Sequence, residues 1–316
     1  GSEMCIRDSA STYGIYSYFT QSDLKISGTG SLNVKTIAAA PAIATDYNTS
    51  RSIIISGNHF TVTADTSETT SCAIKSDKDL KITDGAAVIA KSNATRAIDI
   101  KGNLTVTSGS LKATSTSDSV PTVQVGGNAS FTGSTVTITN NSDRQGKSGE
   151  YSYEVSTGLY VGGTLDIKNA AKATSTVTGG NAIYAKVDIT ISGDSTEVNA
   201  QNSAYKFSAI STNGTVNISG KSTITANNLN KNLVYEGSYL AFPAIEGNIV
   251  NQNTDYSLKF KGQHNGTSEP KTTLAPREQA TLSYYNVTNF YTLHIFTTAL
   301  LILAVTKSLL KVPLTG

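Results

Sequence analysis

Short stretches in which apolar and polar residues alternate recur along most of the chain. The clearest are the four-residue segments at 24–27, 53–56, 80–83, 104–107, 189–192 and 216–219. A second alternating stretch follows each of them after five to eight residues, and an Ala-Ile-like pair such as Ala73-Ile74 precedes it. Alternation with a period of two turns every second side chain inward, which predicts β-strands. The pattern therefore predicts a repeated unit of three short strands.

The spacing between the Ala-Ile pairs indicates how these units are arranged. The second residues of successive pairs lie 31 residues apart from Ile43 to Ile74, 24 from Ile74 to Ile98, and 27 from Ile183 to Ile210. A minimum near 24 residues with a variable excess is typical of a solenoid coil with loop insertions. Propeller blades are longer, and sandwiches need recurring tight hairpin turns that are absent here. We therefore predict an all-β fold, a three-sheet parallel β-helix of about eight or nine coils.

Composition divides the chain into four predicted parts. Residues 1–9 (GSEMCIRDS) resemble sequencing-adaptor read-through and are interpreted as a non-native leader, so the chain is read as truncated, with no signal peptide visible. The β-helix is expected over 10–260, followed by a polar linker at 261–286. A hydrophobic tail at 287–316 is expected to be helical or disordered. Its stretch 287–305 is nearly long enough to span a bilayer core, so it is a candidate membrane anchor, with a packed helix or an artefact as alternatives.

The charge balance argues against several classes of protein. Only 15% of residues are charged and the formal net charge is +2, which gives no reason to expect a nucleic-acid partner. Three His and two Cys do not favour a zinc site or a disulfide framework. A hydrophobic share of 38% does not favour disorder. We expect a monomer that contacts membranes only through 287–305.

Two long insertions occur at the same phase of the repeat, after a third strand and before the next Ala-Ile-like pair. They cover 140–157 and 227–243. Insertions at one phase of a solenoid emerge along one edge, which is commonly the binding side. A tyrosine ring offers an apolar face and a polar hydroxyl, which suits the C–H faces and hydroxyls of sugars. The candidate carbohydrate-binding residues are Tyr151, Tyr153, Tyr235 and Tyr239. The alternative is that these rings only cover the edge of the core.

The candidates for metal binding and catalysis are few. Asp143 and Glu150 in the first insertion are candidate ligands for calcium, the only cofactor considered. The chain has no run of alternating acidic residues ending in Gly, which is the calcium-loop signature. The outward positions of the second strands hold no stacked carboxylates with an Arg or Lys base, and no Ser/His/Asp or Cys/His set is evident. We therefore predict a non-enzymatic protein, with a polysaccharide lyase as the only enzymatic alternative.

The repeat Ala-Ile … Leu-x-Ile-x-Gly … Leu-x-Val-x-Ala resembles that of a known family over about 14–260. These are the carbohydrate-binding, pectate-lyase-like β-helix surface proteins of clostridia and related gut bacteria. The resemblance implies a right-handed helix, an extracellular or cell-surface location on a bacterium, and binding of polysaccharide or surface glycan without cleavage. It covers strand and glycine positions, so it identifies no calcium ligand. An adhesin-like structural stalk is the alternative, because function does not follow from fold.

Overall fold

The computed structural model describes most of the predicted repeat and parts of the segments on either side of it. The described residues are 4–8, 14–17, 22–37, 39–45, 50–142, 156–203, 207–229, 240–241, 244–253, 258–264, 267–268, 273–274, 277, 279–282 and 285–286. Every regular element within them is a β-strand. The described part of the chain contains no helix of the length and apolar character needed to cross a membrane. The predicted tail at 287–316 lies outside the described residues.

Between Ile15 and Asn202 the strands come in sets of three, with three, four, and six or seven residues. In chain order they are β1 (Met4–Asp8), β2 (Ile15–Ser17), β3 (Leu24–Ser27), β4 (Gly30–Thr36), β5 (Ile43–Thr45), β6 (Ile53–Ser56), β7 (Phe60–Thr66), β8 (Ile74–Ser76), β9 (Leu80–Thr83), β10 (Ala87–Ser92), β11 (Ile98–Ile100), β12 (Leu104–Thr107), β13 (Ser110–Ser115), β14 (Val123–Val125), β15 (Ala129–Thr132), β16 (Thr135–Asn140), β17 (Leu159–Val161), β18 (Leu165–Lys168), β19 (Lys172–Val177), β20 (Ile183–Ala185), β21 (Ile189–Ser192) and β22 (Glu197–Asn202). They continue with β23 (Ile210–Ile218), β24 (Thr223–Asn228), β25 (Leu240–Ala241), β26 (Ile245–Asn251), β27 (Leu258–His264), β28 (Thr267–Ser268), β29 (Thr273–Leu274), β30 (Gln279–Leu282) and β31 (Tyr285–Asn286).

Each strand from β2 to β22 pairs in parallel with the equivalent strand one coil further on. The three-residue strands from β2 to β20 form the short side, the four-residue strands from β3 to β21 the middle side, and the longer strands from β4 to β22 the long side. The strands β23 and β26 run through the short and middle sides without a break. The predicted parallel β-helix is thus confirmed. Within the described residues it has seven coils of three separate strands, followed by two coils in which the short and middle sides merge.

The core is built from inward side chains that stack coil upon coil. On the short side this column is formed by Ile43, Ile74, Ile98, Val123, Leu159, Ile183 and Ile210, which are all buried. Parallel strands lie about 4.8 Å apart, so each side chain packs directly on its equivalent in the next coil. One continuous apolar core therefore runs along the solenoid axis.

A buried polar ladder closes the corner between the long and short sides. Its members end long-side strands, and each donates a side-chain hydrogen bond to a backbone carbonyl of the following loop or of a neighbouring loop: Thr36, Thr66, Ser92, Ser115, Asn140, Asn202 and Asn228. Thr66 Oγ1, for example, donates to the Ser71 carbonyl at 2.8 Å, and Asn140 Nδ2 to that of Ser117 at 3.0 Å. Buried carbonyls need such partners because they have lost water. The ladder therefore supports the corner where the two insertions attach.

A second ladder joins successive coils at the corner between the short and middle sides. Asp79 Oδ1 accepts a hydrogen bond from the backbone N–H of Asn103 at 2.8 Å, and Asn103 Oδ1 accepts one from that of Asn128 at 2.8 Å. Gly102 stands where a Cβ atom would lie 2.5 Å from the Lys78 carbonyl oxygen. Close approach of the two backbones, and not a positive φ, requires glycine there.

The ends of the solenoid differ from its centre. At the C-terminal end β26 pairs antiparallel with β30, and β27 pairs antiparallel with β28 and β29. Parts of 261–286, which the sequence predicts as a linker, therefore add strands to the last coil, although the domain limits themselves stay a prediction. At the other end β1, within the predicted leader, pairs in parallel with β4.

Candidate functional site

The residues predicted to bind sugar or calcium lie outside the described residues. These are Tyr151, Tyr153, Tyr235, Tyr239, Asp143 and Glu150. The structure does describe where their insertions attach. One leaves after Ser142 and returns at Ser156, and the other leaves after Leu229 and returns by Ala244. Each insertion leaves after a long-side strand and returns before a short-side strand, so both attach at the same corner of the solenoid, which agrees with the predicted phase.

A strip of outward side chains runs along the short side next to that corner. Each three-residue strand turns its middle residue outward, and the parallel register aligns these residues from coil to coil. From the N-terminal end they are Tyr16, Ala44, Lys75, Asp99, Gln124, Tyr160, Tyr184, Ser211 and Glu246. We call this set the short-side strip. Its members differ at almost every coil, whereas the residue that precedes each of them, which faces inward, is always apolar.

Two tyrosines of the strip, Tyr160 and Tyr184, form an aromatic pair. The rings of Tyr160 and Tyr184 stack with their centroids 5.4 Å apart and their planes inclined by 29°. Tyr184 is only 2% exposed, while Tyr160 is partly exposed. Such a pair contributes about 0.5–1.5 kcal/mol beyond the area it buries. Tyr184 therefore supports the ring of Tyr160, and the Tyr160 residue stays partly accessible to solvent.

Polar groups continue the strip on the N-terminal side of Tyr160. The Gln124 side-chain oxygen accepts a hydrogen bond from Arg96 Nε, which orients the amide. Asp99 lies one coil from Gln124 toward the N-terminal end, and Lys75 lies one coil beyond Asp99. Carboxylate, ammonium and amide groups together offer both donors and acceptors to a ligand. This stretch is therefore suited to a ligand rich in hydroxyl groups.

A small polar cleft lies beside Lys75 and Asp99. Thr45, Ser76, Asp77 and Lys101 complete its lining, and its volume is about 20 Å³, enough for a single ordered water. The side chain of Asp77 is 8% exposed and forms an ion pair with Lys101. Its other carboxylate oxygen accepts a hydrogen bond from the backbone N–H of Ser50 at 3.3 Å. Asp77 and Lys101 are therefore paired with each other, and the cleft has room for no more than one water.

The C-terminal end of the strip is enclosed. Ser211 Oγ donates a hydrogen bond to Glu246 Oε2 at 3.0 Å. Burial raises the pKa of Glu246, and the bond from Ser211 only partly offsets this effect. The enclosed end thus disfavours the ionised carboxylate.

Neither nucleophilic nor metal chemistry is prominent in the part of the chain that the structure describes. Burial, followed by the nearby carboxylate of Asp99, raises the pKa of the Cys72 thiol to about 11. A thiol with that pKa stays protonated at neutral pH and is a poor nucleophile. Among the described residues no three His, Cys, Asp or Glu side chains lie close enough to hold a metal ion. The proposals of calcium binding in the first insertion and of no catalysis stay predictions.

Sequence reasoning missed the aromatic pair. Tyr160 and Tyr184 each follow the apolar residue that defines the repeat, in Leu159-Tyr160 and Ile183-Tyr184. A comparison of the residue that follows this apolar position in every coil could have found them. That residue changes from coil to coil, whereas the apolar position does not. The sequence instead favoured the two long insertions, because each of them contains two tyrosines close together. Comparisons with protein-family models, curated proteins and solved structures found no match to this chain.

Proposed function

We propose that this chain is a non-enzymatic, extracellular protein of a bacterial cell surface that binds polysaccharide along the short-side strip. The observation that carries the proposal is the ring of Tyr160, which is outward, partly exposed and supported by Tyr184. A ring held in this way loses little conformational freedom when a ligand stacks on it.

The neighbouring groups suit the rest of a sugar. The C–H face of a pyranose packs on an aromatic ring, while its hydroxyl groups need hydrogen-bond partners on the same surface. Gln124, already oriented by Arg96, lies in register beside Tyr160, and Asp99 follows one coil away. The strip thus combines a stacking surface with donors and acceptors.

The insertions at the adjacent corner have a place in the same proposal. Tyr151, Tyr153, Tyr235 and Tyr239 belong to segments that attach where the short side begins. Their contribution to binding is a prediction that the strip does not depend on.

Binding to polysaccharides tests this function directly. The intact chain is expected to be retained on at least one immobilised plant or bacterial polysaccharide. Tyr160→Ala is expected to lose about tenfold in affinity, which corresponds to about 1.4 kcal/mol of stacking. Thr137→Ala is the matched control, because Thr137 is an outward residue of the long side. Tyr160→Phe keeps the ring and is expected to keep binding, which separates loss of stacking from loss of folding.

Two results would contradict the proposal. One is equal retention of the Tyr160→Ala and Thr137→Ala variants, and the other is the absence of retention on every polysaccharide of a broad panel. The second result would favour a structural stalk. That alternative is supported by the continuous core and the two hydrogen-bonded ladders, which give a stiff rod. Release of unsaturated products from pectin in the presence of calcium would instead indicate a lyase.

A further inference from the structure

The short-side strip contains a glutamine whose amide is held in one orientation. Arg96, which lies just before β11, donates a hydrogen bond from Nε to Oε1 of Gln124 in the next coil. A guanidinium group only donates, so the atom that it meets is the amide oxygen. The amide nitrogen of Gln124 has no partner within the described residues, and the residue is partly exposed. The groups that Gln124 can offer to a ligand are therefore its two N–H donors.

An acceptor lies beside this donor. Asp99 is the outward residue of β11 and is directly paired with Gln124 of β14. Asp99 is partly exposed, and its carboxylate forms no ion pair and no hydrogen bond in the part of the chain that the structure describes. Paired strands lie about 4.8 Å apart, so this acceptor and the fixed donor can both reach one small polar group of a ligand.

We infer that Asp99 and Gln124 recognise the acetamido group of an N-acetylated amino sugar, and that Arg96 is the positioning residue that fixes the amide. This inference rests on the proposed function and specifies the kind of sugar. The carbonyl oxygen of an acetamido group accepts hydrogen bonds and carries no proton, so it fits the N–H donors of Gln124. The N–H of the same group, or a hydroxyl next to it, donates to the Asp99 carboxylate.

The fixed amide is the source of the selectivity. A glutamine without a partner can turn its amide over and offer either its oxygen or its nitrogen. Arg96 prevents this exchange, because the turned amide would place N–H donors against a group that only donates. An ammonium group on the sugar has donors only and cannot satisfy Gln124. A single hydroxyl group can accept from Gln124 but does not reach both partners as an acetamido group does.

Trisaccharides that differ only in one substituent of each sugar test the inference. The intact chain is titrated calorimetrically with chitotriose, which carries acetamido groups, with cellotriose, which carries hydroxyl groups there, and with the trimer of glucosamine, which carries ammonium groups. Chitotriose is expected to bind about tenfold more tightly than either of the others, because it makes one further hydrogen bond to a charged or fixed partner.

Gln124→Glu separates recognition from structure. The new carboxylate keeps the contact with Arg96 as an ion pair, so the melting temperature should change little. It has no donor for a carbonyl oxygen, so the preference for chitotriose over cellotriose is expected to fall from about tenfold to less than about twofold. Gln201→Glu is the matched control, because Gln201 is an outward glutamine of the long side, and it should keep the full preference.

Variants of the two neighbours complete the test. Arg96→Met removes the donor that fixes the amide and is expected to lower the preference for chitotriose about threefold, whereas Arg96→Lys can still donate and should retain more of it. Asp99→Ala is expected to weaken binding of chitotriose more than binding of cellotriose. A purely structural role of Arg96 would lower both affinities equally.

The outcomes that would overturn the inference differ from those that would overturn the function. Cellotriose binding as tightly as chitotriose, tighter binding of the glucosamine trimer, or an unchanged preference in Gln124→Glu would each refute recognition of an acetamido group. Retention on other polysaccharides without any binding of chitotriose would refute it as well. Binding of polysaccharide would still stand in these cases. If no polysaccharide or oligosaccharide is bound, the proposed function fails and this inference fails with it.

Discussion

The short and long sides of the solenoid follow the same alternation but use their outward positions differently. On the long side threonine recurs at one aligned outward position, as Thr63, Thr137, Thr174 and Thr225, although other coils place Ile89, Lys112 and Asn199 there. On the short side the outward residue changes from Asp99 to Gln124 to Tyr160. A small β-branched residue satisfies a strand whose outer face meets only water. Outward residues that depart from the repeat are therefore not required by the fold, and they are the better candidates for recognition.

The two sides also differ in how their outward side chains are connected. On the long side ion pairs join Lys91 to Asp65 and Lys172 to Glu197. The side chains of Thr137, Thr174 and Thr225 make no hydrogen bond within the described residues, whereas the short side contains the Arg96–Gln124 and Ser211–Glu246 hydrogen bonds. Side chains held by neighbours lose less entropy when they bind a ligand. The comparison indicates that Gln124 and Ser211 on the short side are held by neighbouring side chains, whereas the central threonines of the long side are not.

The largest expected effect tests whether the two sides share one core. Leu159 on the short side and Leu111 on the long side are both 1% exposed. Leu159→Ala and Leu111→Ala are each expected to lower the free energy of unfolding by about 2–5 kcal/mol, because each leaves a cavity in a packed column. Urea denaturation followed by circular dichroism measures both. A loss at Leu159 far below that at Leu111 would show that the short side is not an equal part of the core.

Next in size is the effect of crowding at the corner next to the strip. Gly102→Ala is expected to cost about 1–3 kcal/mol, because its Cβ would press on the Lys78 carbonyl and force successive coils apart. Gly28→Ala is the control, since its Cβ would meet nothing closer than the Phe60 ring at 3.7 Å. Thermal unfolding of both variants provides the comparison. Equal melting temperatures would mean that coil spacing at this corner is not set by glycine.

A smaller effect distinguishes the outward positions themselves. Tyr160→Ala is expected to lower the free energy of unfolding by about 1 kcal/mol through loss of the stack with Tyr184. Thr137→Ala should stay within about 0.5 kcal/mol. A double-mutant cycle with Tyr184→Ala isolates the stacking energy. A coupling of zero in that cycle would show that the rings adjoin without stabilising each other.

The smallest effects have opposite pH dependence on the two sides. For Asp65 on the long side, burial alone would raise the pKa, but hydrogen bonds from the Ser67 hydroxyl and N–H, with Lys91 nearby, hold it below the ordinary value of 3.8. Its stabilisation is present above that pH and is lost as the pH falls. Burial raises the pKa of Glu246 above its ordinary value of 4.5, so its contribution is greatest below that pH and is lost as the pH rises.

Denaturation at a series of pH values measures this difference. Asp65→Asn should remove part of the loss of stability toward acid, and Glu246→Gln should remove part of the loss toward neutral pH. If Glu246→Gln instead lowers stability at neutral pH, the carboxylate is favourably placed and the enclosed end of the strip must supply a cation to it.

Much of the fold could be predicted because its cause is local. The alternation around Ile53, Leu80 and Leu104 identified strands and their inward faces, and the phase of the two insertions predicted their common corner. The two polar ladders were not predicted. Asn140 and Asn103 resemble ordinary loop residues in sequence, and their roles depend on carbonyl and N–H groups supplied by other segments. The pairing of β30 with β26 was missed for the same reason.

The sequence by itself determined the period of the strands, the side of each strand that faces the core and the number of strands in a coil, since these depend on neighbours two residues away. Only the tertiary structure decided which outward residues become neighbours. Gln124 and Tyr160 are 36 residues apart in sequence and Tyr160 and Tyr184 are 24 apart, yet both pairs are in adjacent, directly paired strands. Backbone hydrogen bonds between coils hold paired strands at the same distance in both cases. The extra residues of the longer separation lie in loops at the corners.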